Sequence, residues 1–410
     1  MAVYPENVRP DNVRPDNVYL DHAATTPMLP AAISAYAEAM TVVGNPASIH
    51  SQGQNAKRML EEAREVVARS VGSDPIEVVF TGGGTEAINL AVKGLFWARA
   101  PRTRILAPGG EHHATLDTIE WLEHHEGAVV EWLPLDDLGR VDVAVLERAI
   151  AANPDDVALV TLLAANNEVG TLQPIREVAA LAAAHGIPVH VDAVSAYGHV
   201  PIDFAALSRT GASAVSVSAH KIGGPVGIGA LVLSRRATVV PLIHGGGQQR
   251  QVRSGTQDVA AAVSFAVAAS AAVAELPGEG VRLAALRDRV IAGVRAAVPE
   301  AVLNGDPDPA GRLPGNAHFT FPGCEGDSLL FLLDVAGVSV STGSACQAGI
   351  PEPSHVLRAM GRSETEARGA LRITLGRTST DADVDAFLAA LPAAYAQAAR
   401  AGLADREPAR

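Results

Sequence analysis

The chain reads as an α/β protein: a large unit on a mainly parallel seven-stranded sheet, joined to a smaller α/β unit. Three observations predict this. Short apolar runs alternate with helical stretches through the first two thirds of the chain. Glycine turns and polar residues fall just after several of these runs, where open parallel sheets hold ligands. The pattern changes after Pro277-Gly278-Glu279-Gly280, read as a break in the chain.

The elements follow in order. Residues 1–17 carry a five-residue repeat rich in Pro, Asn and charge (Pro5-Glu6-Asn7-Val8-Arg9, then Pro10-Asp11-Asn12-Val13-Arg14), read as a disordered leader. Order begins at Val18-Tyr19-Leu20-Asp21. Ser51 to Val71 is predicted as an amphipathic helix, with Met59, Leu60, Ala63, Val66 and Val67 on one face and Gly72 ending it. The predicted strands are 77–80, 104–107, 129–133, 157–163, 188–192, 214–218 and 229–233. An Ala-rich helix over Val259–Leu276 leads out of the large unit, taken as residues 28–275. The small unit, 18–27 with 276–410, carries strands 317–321, 338–340 and 371–375. It also carries helix 327–333 and a last helix over about 381–399.

Composition bounds the function. With 45 acidic and 32 basic residues the net charge is −13, which argues against a general nucleic-acid or membrane-surface binder. Two cysteines cannot form a disulfide framework, so a reducing compartment is expected. No signal peptide is visible, and no apolar run reads as long enough to span a bilayer; the expectation is a cytoplasmic protein.

Several segments carry chemistry. Thr81-Gly82-Gly83-Gly84-Thr85-Glu86 joins a strand to a helix, so Gly84 and Thr85 offer an anion site; a bare tight turn is an equal reading. Asp192 ends a strand, where an acid pairs with a protonated pyridine nitrogen or caps a helix. Lys221, in Ser218-Ala219-His220-Lys221, ends the next strand on a glycine-rich turn, where a lysine can hold an aldehyde cofactor. His112 follows a strand and could stack on a flat ring and shuttle a proton. The amides of Asn166-Asn167 suit a cofactor hydroxyl or a substrate carboxylate, or simply a turn. The loop His244–Thr256 is too glycine-rich to pack a core and could complete a phosphate site with its two arginines. Arg372, inside an apolar strand, requires an anion: a substrate carboxylate or an internal ion pair. Cys346 sits among Ser, Thr, Gly and Ala, the setting of an exposed nucleophile; Cys324 reads as incidental. The paired histidines at 112–113 and 124–125 lack matching ligand spacing, so no metal is expected. Lys221 and Cys346 together suggest an enzyme that uses pyridoxal phosphate (PLP) to take sulfur from an amino acid.

From Tyr19-Leu20-Asp21-His22-Ala23-Ala24-Thr25-Thr26-Pro27 to about Arg377, the chain resembles the cysteine desulfurase family of PLP enzymes. The closer match is the branch that supplies sulfur for iron–sulfur clusters and tRNA thiolation. Gly44-Asn45-Pro46-Ala47-Ser48, Asn166-Asn167-Glu168-Val169-Gly170, Arg253-Ser254-Gly255-Thr256 and Ser344-Ala345-Cys346 followed by Glu352-Pro353-Ser354-His355 carry the resemblance. It implies the fold type I of PLP-dependent transferases and a homodimer with shared active sites. Lys221 would be the cofactor lysine, Asp192 the partner of the pyridine nitrogen and His112 the stacking ring. Gly84, Thr85, Ser218, His220 and the neighbouring subunit's copy of Thr256 would hold the phosphate, with Asn167 near the cofactor hydroxyl. Asn45 and Arg372 would hold the carboxylate of L-cysteine. Cys346 would take the substrate's sulfur as a persulfide for an acceptor protein, leaving L-alanine. Rival readings on the same fold are a PLP-dependent C–S lyase and a selenocysteine lyase. Two departures stand out: Ser195 where the family usually has glutamine, and a tail without the aromatic-containing segment that docks a cluster scaffold.

Overall fold

The computed structural model describes residues 17–343 and 352–404, with side chains to 400. The leader expected over 1–17 lies almost wholly outside these residues, and Cys346 lies outside them entirely.

Seven strands form the main sheet: β2 (Val78–Thr81), β3 (Arg104–Pro108), β4 (Val129–Leu133), β5 (Val157–Leu163), β6 (Val189–Asp192), β7 (Ala212–Ser218) and β8 (Gly229–Leu233). A short strand β1 (Val18–Tyr19) precedes them. The sheet order is β2-β8-β7-β6-β5-β3-β4; β8 runs antiparallel to both neighbours and the other pairings are parallel. Burial on both faces explains why these strands read as continuous apolar runs. In β7 and β8, Val215, Val217, Ala230 and Val232 enter one core, while Ala214, Leu231 and Leu233 enter another on the opposite face. Alternation across a pleated strand produces this division.

A further core gathers Leu20, Val290, Phe319, Phe321, Leu371 and Phe387 around a three-stranded sheet. Its strands are β9 (Val302–Asn304), β10 (Asn316–Thr320) and β12 (Ala370–Thr374), in the order β12-β10-β9. β1 pairs in parallel with β11 (Val338–Ser339), which ties the first described residues to this later unit.

The break expected at Pro277 is not there. One helix runs from Val259 to Ala297 with Pro277 inside it. Both halves are anchored: Ala261, Phe265 and Ala269 in the large core, Leu286, Val290 and Val294 in the small one. A mid-helix proline removes one hydrogen bond and crowds the preceding turn. Packing at both ends outweighs that local cost. This helix also corrects the expectation about apolar runs, because by length and composition it is apolar enough to cross a bilayer. Half of its most apolar window is buried inside the protein.

Candidate active site

Strand register decides which polar residues meet. Leu163, Asp192 and Ser216 are successive cross-strand neighbours at the carboxyl ends of β5, β6 and β7. Beyond β7, a short 3-10 turn over Ala219–Ile222 carries His220 and Lys221 and ends on Gly223 in the left-handed conformation. The helix Gly84–Ala98 begins opposite, after Gly83 at φ 143°. A cleft of about 320 Å³ opens between these ends. It is lined by Gly84, Thr85, His112, Asn167, Asp192, Ser195, Ser218, His220, Lys221 and Arg372. The sequence reading had named all ten.

Each side chain is held by its neighbours. Asp192 is buried, its Oδ1 accepts the Val194 N–H at 2.9 Å, and burial pushes its carboxyl up to about 6. The Lys221 charge opposes that rise. Behind it, His190 is fixed between Thr161 Oγ1 (2.9 Å) and Ser216 Oγ (2.8 Å), and burial lowers it to about 3, so it is neutral. Lys221 Nζ donates to the carbonyls of Ala23 and Ala24, the latter at 2.8 Å. His112 is the N-cap of helix His113–Glu126; its Nδ1 accepts the Ala114 N–H at 3.0 Å, so its proton sits on Nε2. Burial first, then the Lys221 charge, lowers it to about 4 and keeps it neutral. Arg372 Nη2 pairs with Asp21 Oδ1 at 2.8 Å and Nη1 donates to Asn167 O at 2.9 Å. Both readings of this arginine therefore meet: it has an internal anion and it also faces the cleft.

The site fits a phosphorylated ring. The Ser218 hydroxyl is buried with no hydrogen-bond partner among the described residues. Gly84 leaves space that a side chain would fill, since a Cβ there would lie 2.9 Å from Val194 Cγ2. An anion at this helix start completes both features.

Other expectations changed. The loop His244–Thr256 does pack: Gln249, Val252 and Ser254 are buried, and Gln249 bonds both backbone groups of Phe80 at 2.8 and 2.7 Å. Its arginines are taken, Arg253 by Glu86 at 2.9 Å and Arg250 by the Ile76 carbonyl. Neither Asn45 nor Thr256 lines this chain's own cleft; Asn45 Oδ1 instead accepts the Ala47 N–H at 2.9 Å. Asn166 is architectural, bonding Gly110 O at 2.9 Å and capping the turn at Glu168 and Val169. Cys324 lies in the small core, where burial pushes its thiol up to about 11. No metal-binding group of His, Cys, Asp and Glu occurs among the described residues.

Two buried acids escaped the sequence reading. Glu111 accepts the Leu163 N–H at 3.0 Å, and burial raises its carboxyl well above the usual range. Glu168 accepts from Ser354 Oγ at 2.5 Å and lies against Gly343, where a Cβ would come within 3.2 Å. It therefore meets Gly343 on one side of segment 344–351 and Ser354 on the other. His355 Nε2 bonds Glu111 O at 2.8 Å, tying the same region to the turn that carries His112. The available signal was an acid next to His112 and another inside Asn166-Asn167-Glu168-Val169-Gly170.

Comparison with known proteins agrees with this geometry. The Aminotransferase class-V model matches residues 18–387. The chain belongs to that family, among the cysteine desulfurases. It is 55% identical over 390 residues to an IscS-like cysteine desulfurase of Mycobacterium tuberculosis, covering 94% of this chain and 98% of the relative. A cysteine desulfurase IscS of Clostridium botulinum is 40% identical over 376 residues, covering 91% and 93%. Among solved structures, a NifS-like protein superposes with TM-score 0.83 at 34% identity, over 93% of this chain and 100% of that one. SspA in complex with cysteine gives TM-score 0.73 at 32% identity, over 87% and 98%. The chain is thus a PLP-dependent enzyme with cysteine desulfurase activity.

Proposed function

We propose that this enzyme takes the sulfur of L-cysteine onto Cys346 and passes it to an acceptor protein for iron–sulfur cluster assembly or thiolation. The observation that carries the residue assignment is the convergence of Lys221, Asp192, His112, Ser218 and Arg372 on one cleft. Pyridoxal phosphate supplies an electron sink that acidifies the substrate's α-carbon. Gly84, Thr85, Ser218 and His220 would hold its phosphate, Asp192 its ring nitrogen, and Asn167 would lie beside its hydroxyl. Lys221 Nζ carries the α-proton. Neutral His112, with its proton on Nε2, would stack on the ring and could pass that proton on. Arg372 presents its remaining N–H groups to the α-carboxylate. The thiolate of Cys346 attacks the substrate's sulfur; the Cβ–S bond breaks as the S–S bond forms. L-alanine and a Cys346 persulfide result, with no external oxidant or reductant. A homodimer that lends Thr256 across the interface, and a cytoplasmic setting, complete the reading.

A product assay with PLP and L-cysteine, beside Cys346→Ala, tests this. Alanine matched by protein-bound persulfide, both lost in the variant, is the expected result. Pyruvate with ammonia, unchanged in the variant, would make it a C–S lyase.

A further inference from the structure

A second cavity lies against Lys221, beside the main cleft. It measures about 40 Å³, and its lining includes His22, Asn167, Ser195, His199, Lys221 and Asn316. Asn167, Ser195 and Lys221 line both cavities, so they form the partition between them. Two features call for a hydrogen-bond donor here. The Oδ1 atoms of Asn167 and Asn316 are buried with no partner among the described residues. Leaving such an oxygen unmatched costs about 1–3 kcal/mol. Leu313 and Leu375 share the lining with these polar groups, and the cavity exceeds the roughly 10–15 Å³ one water needs. His199, hydrogen-bonded to the Lys221 backbone, also lines it. Burial lowers the proton affinity of His199, and a neutral imidazole has one donor and one acceptor nitrogen.

We propose that Asn167, Ser195 and His199 hold an ordered water behind Lys221, and that this water fixes which way the Asn167 amide points. A water donating to Asn167 Oδ1 leaves the amide N–H₂ for the cleft, where it would donate to the cofactor's ring oxygen. Such a donor stabilises negative charge on that oxygen and so lowers the proton affinity of the lysine nitrogen beside it. Ser195 is short enough to leave the water its room. Ser195 is thus a positioning residue acting through Asn167. The inference rests on Lys221 being the cofactor lysine.

The test is the pH titration of the bound cofactor's visible absorbance in the holoenzyme, which needs no turnover. The charged and titratable groups around Lys221 are His22, His199, His112, His220, Asp192, Asp21 and Arg372, and the variants leave all of them in place. Ser195→Leu fills the chamber with apolar atoms. Its midpoint should rise by about one pH unit, the tenfold change that one lost hydrogen bond to a charged oxygen is worth. Ser195→Gln, whose amide can itself donate to Asn167, should restore the wild-type midpoint. A Ser195→Leu midpoint equal to wild type at full cofactor occupancy overturns the proposal. If that variant does not take up cofactor, a high-resolution crystal structure of the wild-type holoenzyme decides. Density for a water bonded to Asn167 supports the site, and a dry chamber overturns it. Lys221→Ala is the control: covalent cofactor retained in that variant would refute the lysine assignment rather than the water.

Discussion

The two walls of the active cleft are built differently. The wall from the large sheet comes from strand ends of one seven-stranded sheet, and it keeps an unmatched polar atom for a ligand in Ser218 Oγ. The wall from the small unit works through cross-links. Arg372 on β12 reaches Asp21 and Asn167, and Ser354 reaches Glu168. The first wall is pre-formed for a cofactor held throughout catalysis. The second is bonded to residues far away in sequence, so it sets the distance between units as well as lining the cleft. One wall thus concerns occupancy and the other alignment.

Lys221→Ala should give the largest effect and break the first wall alone. Covalent cofactor should disappear from the spectrum and alanine formation should fall by about 10³-fold or more, within the range for a lost acid–base group. Thermal stability without cofactor should change little.

Arg372→Lys should disturb the second wall. It keeps charge but loses the fork that spans Asp21 and Asn167. KM for L-cysteine should rise roughly tenfold while the cofactor spectrum stays as in wild type, as steady-state kinetics would show. An altered spectrum would mean that the two walls are not separable.

Glu168→Gln sharpens the same contrast. It keeps the shape but weakens the acceptor for Ser354 Oγ. Persulfide formation in a single turnover should slow by about three- to tenfold, one charge-assisted bond's share. The spectral change on adding L-cysteine should keep its rate, because that step belongs to the other wall. Equal slowing of both steps would refute a role confined to the small-unit side.

The smallest effect is a pH dependence of the folded state. Buried His190 and His318 both have protonation depressed to about 3. As pH falls below the unfolded value near 6.5, the unfolded chain takes up these protons first, so stability is lost on acidification. Each would cost up to about 1.4 kcal/mol per pH unit across that window. Asp192, raised by burial to about 6, acts in the opposite sense: its ionisation costs stability above that value, and the cost disappears as pH falls toward 4. Denaturant titrations of the cofactor-free protein at several pH values should show a net decline below 6.5, shallower in His190→Gln.

Much of the cofactor wall was legible because strands buried on both faces leave a local signature. An apolar run that ends in Asp192, or in Ser218-Ala219-His220-Lys221, announces both the strand and what it presents. The helix Val259–Ala297 was not legible, because Pro277-Gly278 carries every local mark of a break and only packing in two separate cores overrides it. Glu111 and Glu168 were missed for a related reason. An acid in sequence reads as surface, and only burial with a defined donor makes it structural.

By itself, then, the sequence determined the α/β layering and the order of the strands' chemical tips, and it singled out Lys221 and Asp192 as the residues to test for holding the cofactor. Those properties follow from apolar runs buried on both faces and from residues adjacent along the chain. Tertiary structure alone decided that Arg372 is already paired with Asp21, that Glu168 joins Gly343 to Ser354, and that a small cavity lies against Lys221. The first two depend on contacts between residues from about 170 to 350 positions apart, and no local pattern encodes which distant atoms will close on one another.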